Sequence, residues 1–239
     1  ARERDDAVGT ALGTAVTRGC FNTCAFCVSG GEKPVRTLSM KAIRQRLEII
    51  HQHGIKNVRV LDRTFNFNPR RAKELLQLFQ EFHPHIRFHL EIHPALLSED
   101  LKTELQQLPE GLLHLEAGIQ SLREPVLEKC KRLGKLNDAL EGLQFLCSLD
   151  NMETHADLIA GLPLYRLNEI FEDIRILAEF QAGEIQLESL KLLPGTDMRR
   201  RANELGIQYS PMPPYEVLRT EDITPEELQV ARRLSRLLD

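Results

Sequence analysis

The sequence contains no tryptophan, and aromatic residues of all kinds make up only 5% of its 239 residues. It has no apolar run long enough to cross a bilayer and no segment that resembles a secretory signal. It also lacks an excess of positive charge, because 31 lysines and arginines face 35 aspartates and glutamates, a net charge of −4. We therefore expect neither a membrane partner nor a nucleic-acid partner bound through overall charge, and we expect the protein in the cytoplasm.

Cysteines are few and unevenly placed. There are five, an odd number, and three of them fall within residues 20–27. This count disfavours a disulfide framework, whereas metal ligation in a reducing compartment accounts for the crowding. The charged start of the chain, residues 1–9, has no initiator methionine, and we interpret it as a linker from a missing upstream domain.

Short apolar runs alternate with helical patterns along most of the chain. The predicted strands are 10–18, 57–65, 86–93, 112–120, 152–160 and 184–193. The predicted helices are 40–53, 69–82, 99–108, 122–149 with a break near Gly134, 167–181 and 197–205, followed by a last helix that begins at Thr224. Capping residues support three of these helix starts, namely Ser39, Asn68 before Pro69, and Thr224 before Pro225.

Six successive strand–helix units predict an α/β fold with a parallel sheet and right-handed crossovers. Six units are too few for a closed eightfold barrel, so we expect a partial, open (β/α)6 TIM-like barrel over residues 10–206. A C-terminal arm and helix, residues 207–239, follow it. A doubly wound sheet is the alternative, and in both folds ligands bind at the carboxyl ends of the strands.

The three crowded cysteines have the spacing C-x3-C-x2-C and directly follow the first predicted strand. Three thiolates on one short loop, from Cys20, Cys24 and Cys27, can hold three irons of a cubane cluster and leave the fourth iron open. The alternatives are a zinc knuckle and incidental thiols, but structural zinc usually takes four protein ligands and no fourth lies nearby in sequence. Cys130 and Cys147 occupy apolar helix positions and are expected in the core.

Polar residues of one parity recur along the last four predicted strands. Because residues of one parity in a strand point to the same side, each set shares a face of the sheet. A packed barrel interior is normally apolar, so this pattern predicts an interior lined for a ligand, and a face in contact with solvent is the alternative. The residues are His89, Glu91, His93, His114, Glu116, Gly118, Gln120, Glu153, His155, Asp157, Gln186 and Glu188.

These motifs together resemble the radical S-adenosylmethionine (SAM) superfamily. The loop matches C-x3-C-x-Φ-C with Phe26 at the aromatic position, and residues 116–121 and 157–163 are similar to E-x-G-x-Q-S and D-L-I-x-G-L-P. The resemblance implies a [4Fe-4S] cluster on the three loop cysteines and reductive cleavage of SAM to a 5′-deoxyadenosyl radical. It also implies an electron donor such as flavodoxin or ferredoxin as a partner.

The resemblance further implies which side chains contact SAM. Phe26 would lie against the adenine end of the cofactor. Carboxylate and amide groups suit its ribose hydroxyls and ammonium, and an arginine suits its carboxylate. No catalytic side chain is assigned. The expected cofactor-binding residues are Phe26, Thr64, Glu91, Glu116, Gln120, Arg132, Asp157 and Leu193.

The end of the second predicted strand departs from the family. The family usually has Gly-Gly-Glu there, with its backbone against the amino group of the cofactor, whereas this chain has Asp62-Arg63-Thr64-Phe65-Asn66. Thr64 and its neighbours therefore take the place of that motif, and Asp62 is interpreted as structural. A Gly-Gly-Glu does occur at residues 30–32, but it follows the cysteine loop and is not given that role.

Residues 61–66, 192–196 and 213–218 resemble one branch, the radical enzymes that carry a cobalamin-binding domain before the barrel. That likeness implies methyl or group transfer to an unknown substrate, with cobalamin bound by a domain absent from this chain. Methylthiotransferases of RNA are another related group, and we do not recognise their additional cysteine-bearing domain in the sequence. The alternative function from another class is a binding or sensor domain that zinc or an Fe–S cluster stabilises without turnover.

Overall fold

Six parallel strands that pair in the order of the sequence form the centre of the fold. In this computed structural model, which describes residues 11–238, each strand pairs with the next one along the chain. An order that never reverses has no switch point, so it excludes the doubly wound alternative and confirms the partial TIM-like barrel. The strands are β1 Ala11–Thr14, β2 Asn57–Val60, β3 Arg87–Ile92, β4 Leu113–Gln120, β5 Glu153–Ala160 and β6 Glu184–Ser189.

Eight helices follow or connect these strands in the described part of the chain. The predicted caps are confirmed: the Ser39 side chain accepts a hydrogen bond from an amide in the first turn, and the Asn68 side chain does the same. Thr224 and Glu227 form a reciprocal capping box. The helices are α1 Met40–Gln52, α2 Pro69–Gln80, α3 Glu99–Gln107, α4 Glu124–Lys129, α5 Leu136–Cys147, α6 Leu167–Glu179, α7 Asp197–Arg200 and α8 Pro225–Leu238.

The first predicted strand, 10–18, was wrong as a single element. It divides into β1 and a second short strand, Thr17–Arg18, which pairs antiparallel with Arg36–Thr37. The chain leaves the sheet there because Asp62 accepts the backbone hydrogen bonds of Val16 and Thr17, so those amides cannot join the ladder. Residue 10 and the predicted linker 1–9 lie outside the described residues.

Other predicted elements were too long. The second strand ends at Val60 instead of residue 65, because Phe65–Phe67 forms a 3₁₀ turn. The sixth strand ends at Ser189 and the helix predicted to reach residue 205 ends at Arg200. The break predicted near Gly134 in the helix 122–149 is confirmed: α4 and α5 are separated by a turn in which Gly134 has a φ of 110°, a conformation that glycine adopts without strain.

The two faces of the sheet differ in polarity. Apolar side chains on one face are buried against the surrounding helices, as where Phe79 of α2 stacks on Phe88 of β3 with ring centroids 4.0 Å apart. The alternate positions of β3 and β4 carry the polar residues, and these positions are only partly buried. The sheet therefore places the hydrophobic core outside the strands and a polar interior inside them.

Residues beyond the sixth strand attach to its carboxyl end. Gln208–Tyr209 pairs with Val217–Arg219, and the Val217 amide donates to the carbonyl of Leu190 at 3.0 Å. Helix α8 buries Leu228 and Ala231 against this region. That residues 207–239 form a unit separate from the barrel stays a prediction. Between residues 11 and 238, no helix combines the length and the apolar character that crossing a bilayer requires.

Candidate functional site

The cysteine loop emerges at the carboxyl end of the sheet and folds back on itself. The Cys27 amide donates to the carbonyl of Cys24, and the Gly30 amide donates to the carbonyl of Cys27, both at 3.1 Å. Gly30 packs so closely on this turn that a Cβ there would overlap the Cys24 carbonyl oxygen and lie 3.0 Å from that of Cys27. Glycine at this position thus lets the loop wind tightly enough to bring the cysteines to one side.

Later segments of the chain hold the loop in place. The Ala25 amide donates to the carbonyl of Cys130 at the end of α4, and the Ala25 carbonyl accepts from the Met198 amide in α7, both at 2.8 Å. Asn22, which sequence reasoning missed, accepts a hydrogen bond from the Leu133 amide at 3.1 Å through its side chain. The loop therefore depends on contacts more than a hundred residues away. Cys130 is fully buried, as expected for a core thiol.

One cavity of about 170 Å³ unites most of the predicted site. All three loop cysteines line it, and so do seven of the eight residues expected to bind the cofactor. Leu193 does not line it, and its role in cofactor binding stays a prediction. The predicted metal- and cofactor-binding residues in the lining are Cys20, Cys24, Cys27, Phe26, Thr64, Glu91, Glu116, Gln120, Arg132 and Asp157. The other lining residues are Asn22, Arg63, Ile92, His93 and Gly118, of which His93 and Gly118 belong to the predicted polar interior.

The spacing of the three sulfurs distinguishes between kinds of metal centre. In the described chain, two sets of three possible metal-ligating atoms lie within 4.8 Å of one another, and neither set contains these three sulfurs. A single tetrahedral zinc ion with bonds of about 2.3 Å would hold its sulfurs roughly 3.8 Å apart. A cubane cluster binds each cysteine through a different iron, so it suits a wider triangle. The donor set therefore fits an Fe–S cluster better than a zinc knuckle.

Arg132 connects the cysteine loop with the end of β4. Its Nη1 lies 3.6 Å from the sulfur of Cys24, and its Nη2 donates to the carbonyl of Gly118. Burial raises the pKa of the Cys24 thiol, while the charge and hydrogen bond of Arg132 act in the opposite direction. A guanidinium facing the cavity there can also pair with an anionic ligand group.

A bulge at the end of β4 turns Gln120 toward the cavity. The register with β5 shifts between Gly118 and Gln120, and Gln120 has a φ of 76°. A left-handed backbone at a residue other than glycine is strained, and such strain is concentrated at functional sites. The turned side chain lies over Gly118, where a Cβ would come within 2.5 Å of the Gln120 amide nitrogen. The glycine of the E-x-G-x-Q-S pattern thus makes room for its glutamine.

Three carboxyl groups meet at the floor of the cavity, and their protonation differs. Burial, followed by the charges of Glu116 and Glu91, raises the pKa of Asp157 to about 8. Burial also raises the pKa of Glu91, and the charge of Glu116 adds to that effect. Burial opposes ionisation of Glu116 as well, but its hydrogen bond with His89 and the charge of Arg59 lower its pKa on balance. Asp157 is thus mostly protonated at pH 7.

One atom at this floor lacks a partner. The Oδ1 of Asp157 is buried and makes no hydrogen bond within the protein. Unsatisfied buried polar atoms are costly, so a ligand hydroxyl or ammonium beside Asp157 would be stabilised there. Together with the three thiols and Arg132, this orphaned oxygen shows that the residues present fit a cluster and a polar, zwitterionic cofactor.

His93, a member of the predicted polar interior that was not among the expected cofactor-binding residues, closes another side of the cavity. Asn66 positions it by a pair of backbone contacts: its side chain donates to the His93 carbonyl and accepts from the His93 amide, each at 2.9 Å. Burial foremost lowers the pKa of His93 to about 3, so the ring is neutral. The signal for His93 in the sequence was its parity with His89 and Glu91. The sequence carried no such signal for Asn66, because its partner His93 lies on another strand.

Comparison with known proteins agrees with this geometry. A family model described as the Radical SAM superfamily matches residues 14–177. Among curated relatives, the ribosomal protein uS12 methylthiotransferase RimO of Desulfitobacterium hafniense is 23% identical over 91% of this chain and 47% of its own length. A tRNA-2-methylthio-N(6)-dimethylallyladenosine synthase of Sulfurihydrogenibium sp. is 22% identical over 76% of this chain and 43% of its own length. The chain thus spans about half the length of these relatives.

Solved structures share the fold at low sequence identity. The radical SAM methyltransferase TsrM from Kitasatospora setae, with cobalamin and a [4Fe-4S] cluster bound, superposes with a TM-score of 0.72 at 17% identity, covering 91% of this chain and 44% of that one. Coproporphyrinogen III oxidase (HemN) from Escherichia coli gives a TM-score of 0.56 at 18% identity, covering 94% of this chain and 58% of that one. Because the family model covers more than half of the sequence, the chain belongs to the radical SAM superfamily.

Proposed function

We propose that this chain is the catalytic core of a radical SAM enzyme that transfers a methyl or other group with the help of cobalamin. The observation that carries the proposal is that three thiols and a set of partly buried carboxyl groups from other strands line one cavity. Cys20, Cys24 and Cys27 would hold the cluster. A binding or sensor domain without turnover would have no need for the strained Gln120 or for the orphaned oxygen of Asp157.

The chemistry that a bound cluster supplies is one-electron cleavage of the sulfonium C–S bond of SAM, which yields a 5′-deoxyadenosyl radical. The residues of this chain bind and orient the cofactor. Asp157, mostly protonated at pH 7, can donate a hydrogen bond to a ribose oxygen and accept one at Oδ1. Glu116, which is ionised, attracts an ammonium group, and Arg132 pairs with a carboxylate. Phe26 offers an apolar surface to the adenine, and Thr64 closes the side next to Cys20.

The cobalamin part of the proposal has narrower support. The fold is shared with TsrM, whose structure contains cobalamin, and residues 61–66, 192–196 and 213–218 resemble the cobalamin-dependent branch. The chain covers 44% of that structure. We propose that another domain binds cobalamin, that flavodoxin or ferredoxin donates the electron, and that the enzyme works in the cytoplasm, where the thiols stay reduced.

Methylthiotransfer to RNA or to a ribosomal protein is a second candidate function. It is favoured by the two curated relatives described above, both of which carry methylthio activities in their names. The cobalamin content of the full-length protein, with the domain that we propose to bind cobalamin, distinguishes the two when it is purified from cells supplied with hydroxocobalamin. Bound cobalamin supports the proposal, whereas a cobalamin-free protein with an intact cluster favours methylthiotransfer.

Cofactor cleavage is tested by anaerobic cluster reconstitution followed by incubation with SAM and a strong reductant. The unaltered protein should release 5′-deoxyadenosine, and Cys24→Ala should lose both the cluster and the product. Cys147→Ala is the matched control, because that thiol is half-buried in α5 and does not line the cavity. An intact cluster without 5′-deoxyadenosine would refute the enzymatic proposal.

A further inference from the structure

Three histidines converge inside the barrel beneath the carboxyl groups of the cavity floor. They come from neighbouring strands, His89 from β3, His114 from β4 and His155 from β5, and His89 is paired with His114 in the sheet register. One ring nitrogen of each lies within 4.8 Å of the other two. The rings of His89 and His114 stack with centroids 4.6 Å apart. The proposed cofactor site makes no use of these three rings.

We propose that His89, His114 and His155, with a water as the fourth ligand, form a second metal centre for a divalent transition ion of the zinc type. Three imidazoles with a water in the fourth position are a ligand set that zinc adopts in proteins. Glu116 adds negative charge beside the site, because its Oε2 lies 2.8 Å from His89 Nε2 and 3.8 Å from His155 Nε2.

The buried ring of His155 presents one nitrogen to the other histidines. His155 is only 3% exposed, and its Nδ1 lies 2.7 Å from Nε2 of His114. Its Nε2 has no hydrogen-bond partner in the protein and faces Oδ1 of Asp157 at 3.5 Å. Coordination through Nδ1 places the ring proton on Nε2, where the carboxyl group of Asp157 can hold it.

The outer contacts also suit a metal ligand. Nδ1 of His114 lies 3.3 Å from Oε2 of Glu153, so its proton can be held on that side while Nε2 faces the other two rings. Carboxylates behind ligating histidines commonly fix the ring in this way. The two nearby arginines do not leave excess positive charge, because Arg59 pairs with Glu116 and Arg87 pairs with Glu153, both at 2.5 Å.

The cluster of rings has its own route to solvent. A second cavity, of about 290 Å³, lies at the amino ends of β2 to β4 and reaches His89 and His114. An ion can therefore enter from the side of the barrel opposite to the cysteine loop. Four-coordinate zinc with bonds of about 2.0–2.1 Å needs its nitrogens roughly 3.3 Å apart. Nε2 of His114 and Nδ1 of His155, which lie 2.7 Å apart, must then separate by roughly 0.6 Å.

The test uses Co²⁺ as the probe, because four-coordinate Co²⁺ absorbs visible light and replaces zinc in such sites. The full chain with Cys20, Cys24 and Cys27 all changed to Ala removes the competing thiols. We expect one equivalent of Co²⁺ to bind with visible absorption and to be displaced by Zn²⁺. His155→Ala should weaken binding at least tenfold, and Glu153→Gln should weaken it about tenfold.

The matched control is His85→Ala. The rings of His85 and His51 lie side by side with centroids 4.9 Å apart, a separation similar to that of the proposed ligands, but both rings are exposed on the surface. This variant should bind Co²⁺ as tightly as its parent. Failure of the folded triple-Ala protein, checked by circular dichroism, to bind one equivalent would overturn the proposal, and so would unchanged affinity in His155→Ala.

If the triple-Ala protein does not fold, the reconstituted protein is analysed for elements instead. One equivalent of zinc beyond the irons of the cluster, lost in His155→Ala but kept in His85→Ala, supports the proposal, and no such zinc overturns it. The outcome is independent of the proposed function. Cofactor cleavage is measured on the cluster, whereas the histidine site is measured by metal content without turnover.

Discussion

The Oδ1 atom of Asp62 accepts a hydrogen bond from the backbone amide of Val16 at 2.8 Å. The same oxygen accepts a second one from the Thr17 amide, also at 2.8 Å. Asp62 is 1% exposed, so both amides are satisfied without water. This contact ends β1 and directs the chain into the cysteine loop three residues later.

Replacement of Asp62 should therefore reduce cluster binding, although Asp62 is not a ligand of the cluster. Asp62→Ala leaves two buried amides without acceptors, and each costs about 1–3 kcal/mol of the free energy of unfolding. We expect lower stability in urea unfolding and a reduced iron content after reconstitution. Asp62→Asn retains an oxygen acceptor and should restore most of both. Equal loss in the two variants would show that the charge, and not the acceptor, matters.

Gly30 provides a second test of the loop. A Cβ at this position would overlap the carbonyl oxygen of Cys24, which is backbone and cannot move aside cheaply. Gly30→Ala should lose most of its iron after reconstitution while far-UV circular dichroism stays unchanged.

The control is the neighbouring Gly31, which has a φ of 84° and open space where a side chain would lie. Asparagine tolerates this conformation, so Gly31→Asn should retain the cluster. A Gly30→Ala protein with full iron content would contradict the role that we assign to this glycine.

The protonation of Asp157 predicts how the stability of the cluster-free protein depends on pH. Its pKa is raised to about 8 in the folded state and is about 3.9 in an unfolded chain. Between these values the folded protein binds the extra proton, so ionisation destabilises the fold as pH rises. The contribution is at most about 1.4 kcal/mol per pH unit, and it levels off above the folded pKa.

Asp157→Asn replaces the titrating carboxyl group with an amide, which does not ionise in this pH range. The variant should gain stability relative to the unaltered protein as pH rises from 5 to 8, as measured by urea unfolding at each pH. It should retain most of its production of 5′-deoxyadenosine, because an amide donates through its nitrogen and accepts through its oxygen, as the protonated carboxyl group does. Parallel stability curves for the two proteins would contradict the raised pKa.

Asp173 of α6 contacts residues at or just after the ends of both strand motifs, 116–121 and 157–163. It is fully buried, accepts a hydrogen bond from the Tyr165 hydroxyl at 2.6 Å, and pairs with Arg123 at 2.7 Å. Its Oδ2 also lies 3.4 Å from Ser121, the serine of the E-x-G-x-Q-S pattern. This serine is thus structural and does not face the cavity.

Asp173→Ala should reduce the free energy of unfolding by roughly 2–6 kcal/mol, because it leaves the Tyr165 hydroxyl and the Leu122 amide buried without an acceptor. Glu172→Ala is the control, since Glu172 contacts the same Arg123 at 2.8 Å but is half exposed. That change should cost no more than about 1 kcal/mol. Thermal and urea unfolding of both variants measure the difference, and similar losses would contradict the role of Asp173.

The amino-acid sequence determined those features of this protein that depend on neighbours along the chain. The spacing of Cys20, Cys24 and Cys27, the alternation of polar and apolar residues in the strands, and the caps at Ser39 and Asn68 are local patterns. Periodicity and capping act over a few residues, so they could be read without a fold. The family, the type of fold and most members of the cavity followed from them.

Only the tertiary structure decided what depends on contacts between distant segments. The break in the first strand arises from Asp62, and Arg132 reaches the cysteine loop from a turn more than a hundred residues later. The convergence of His89, His114 and His155 required the strand register. In each case two groups far apart in sequence meet only because the strands assemble in one order. Local sequence patterns do not predict which distant residue a side chain will contact.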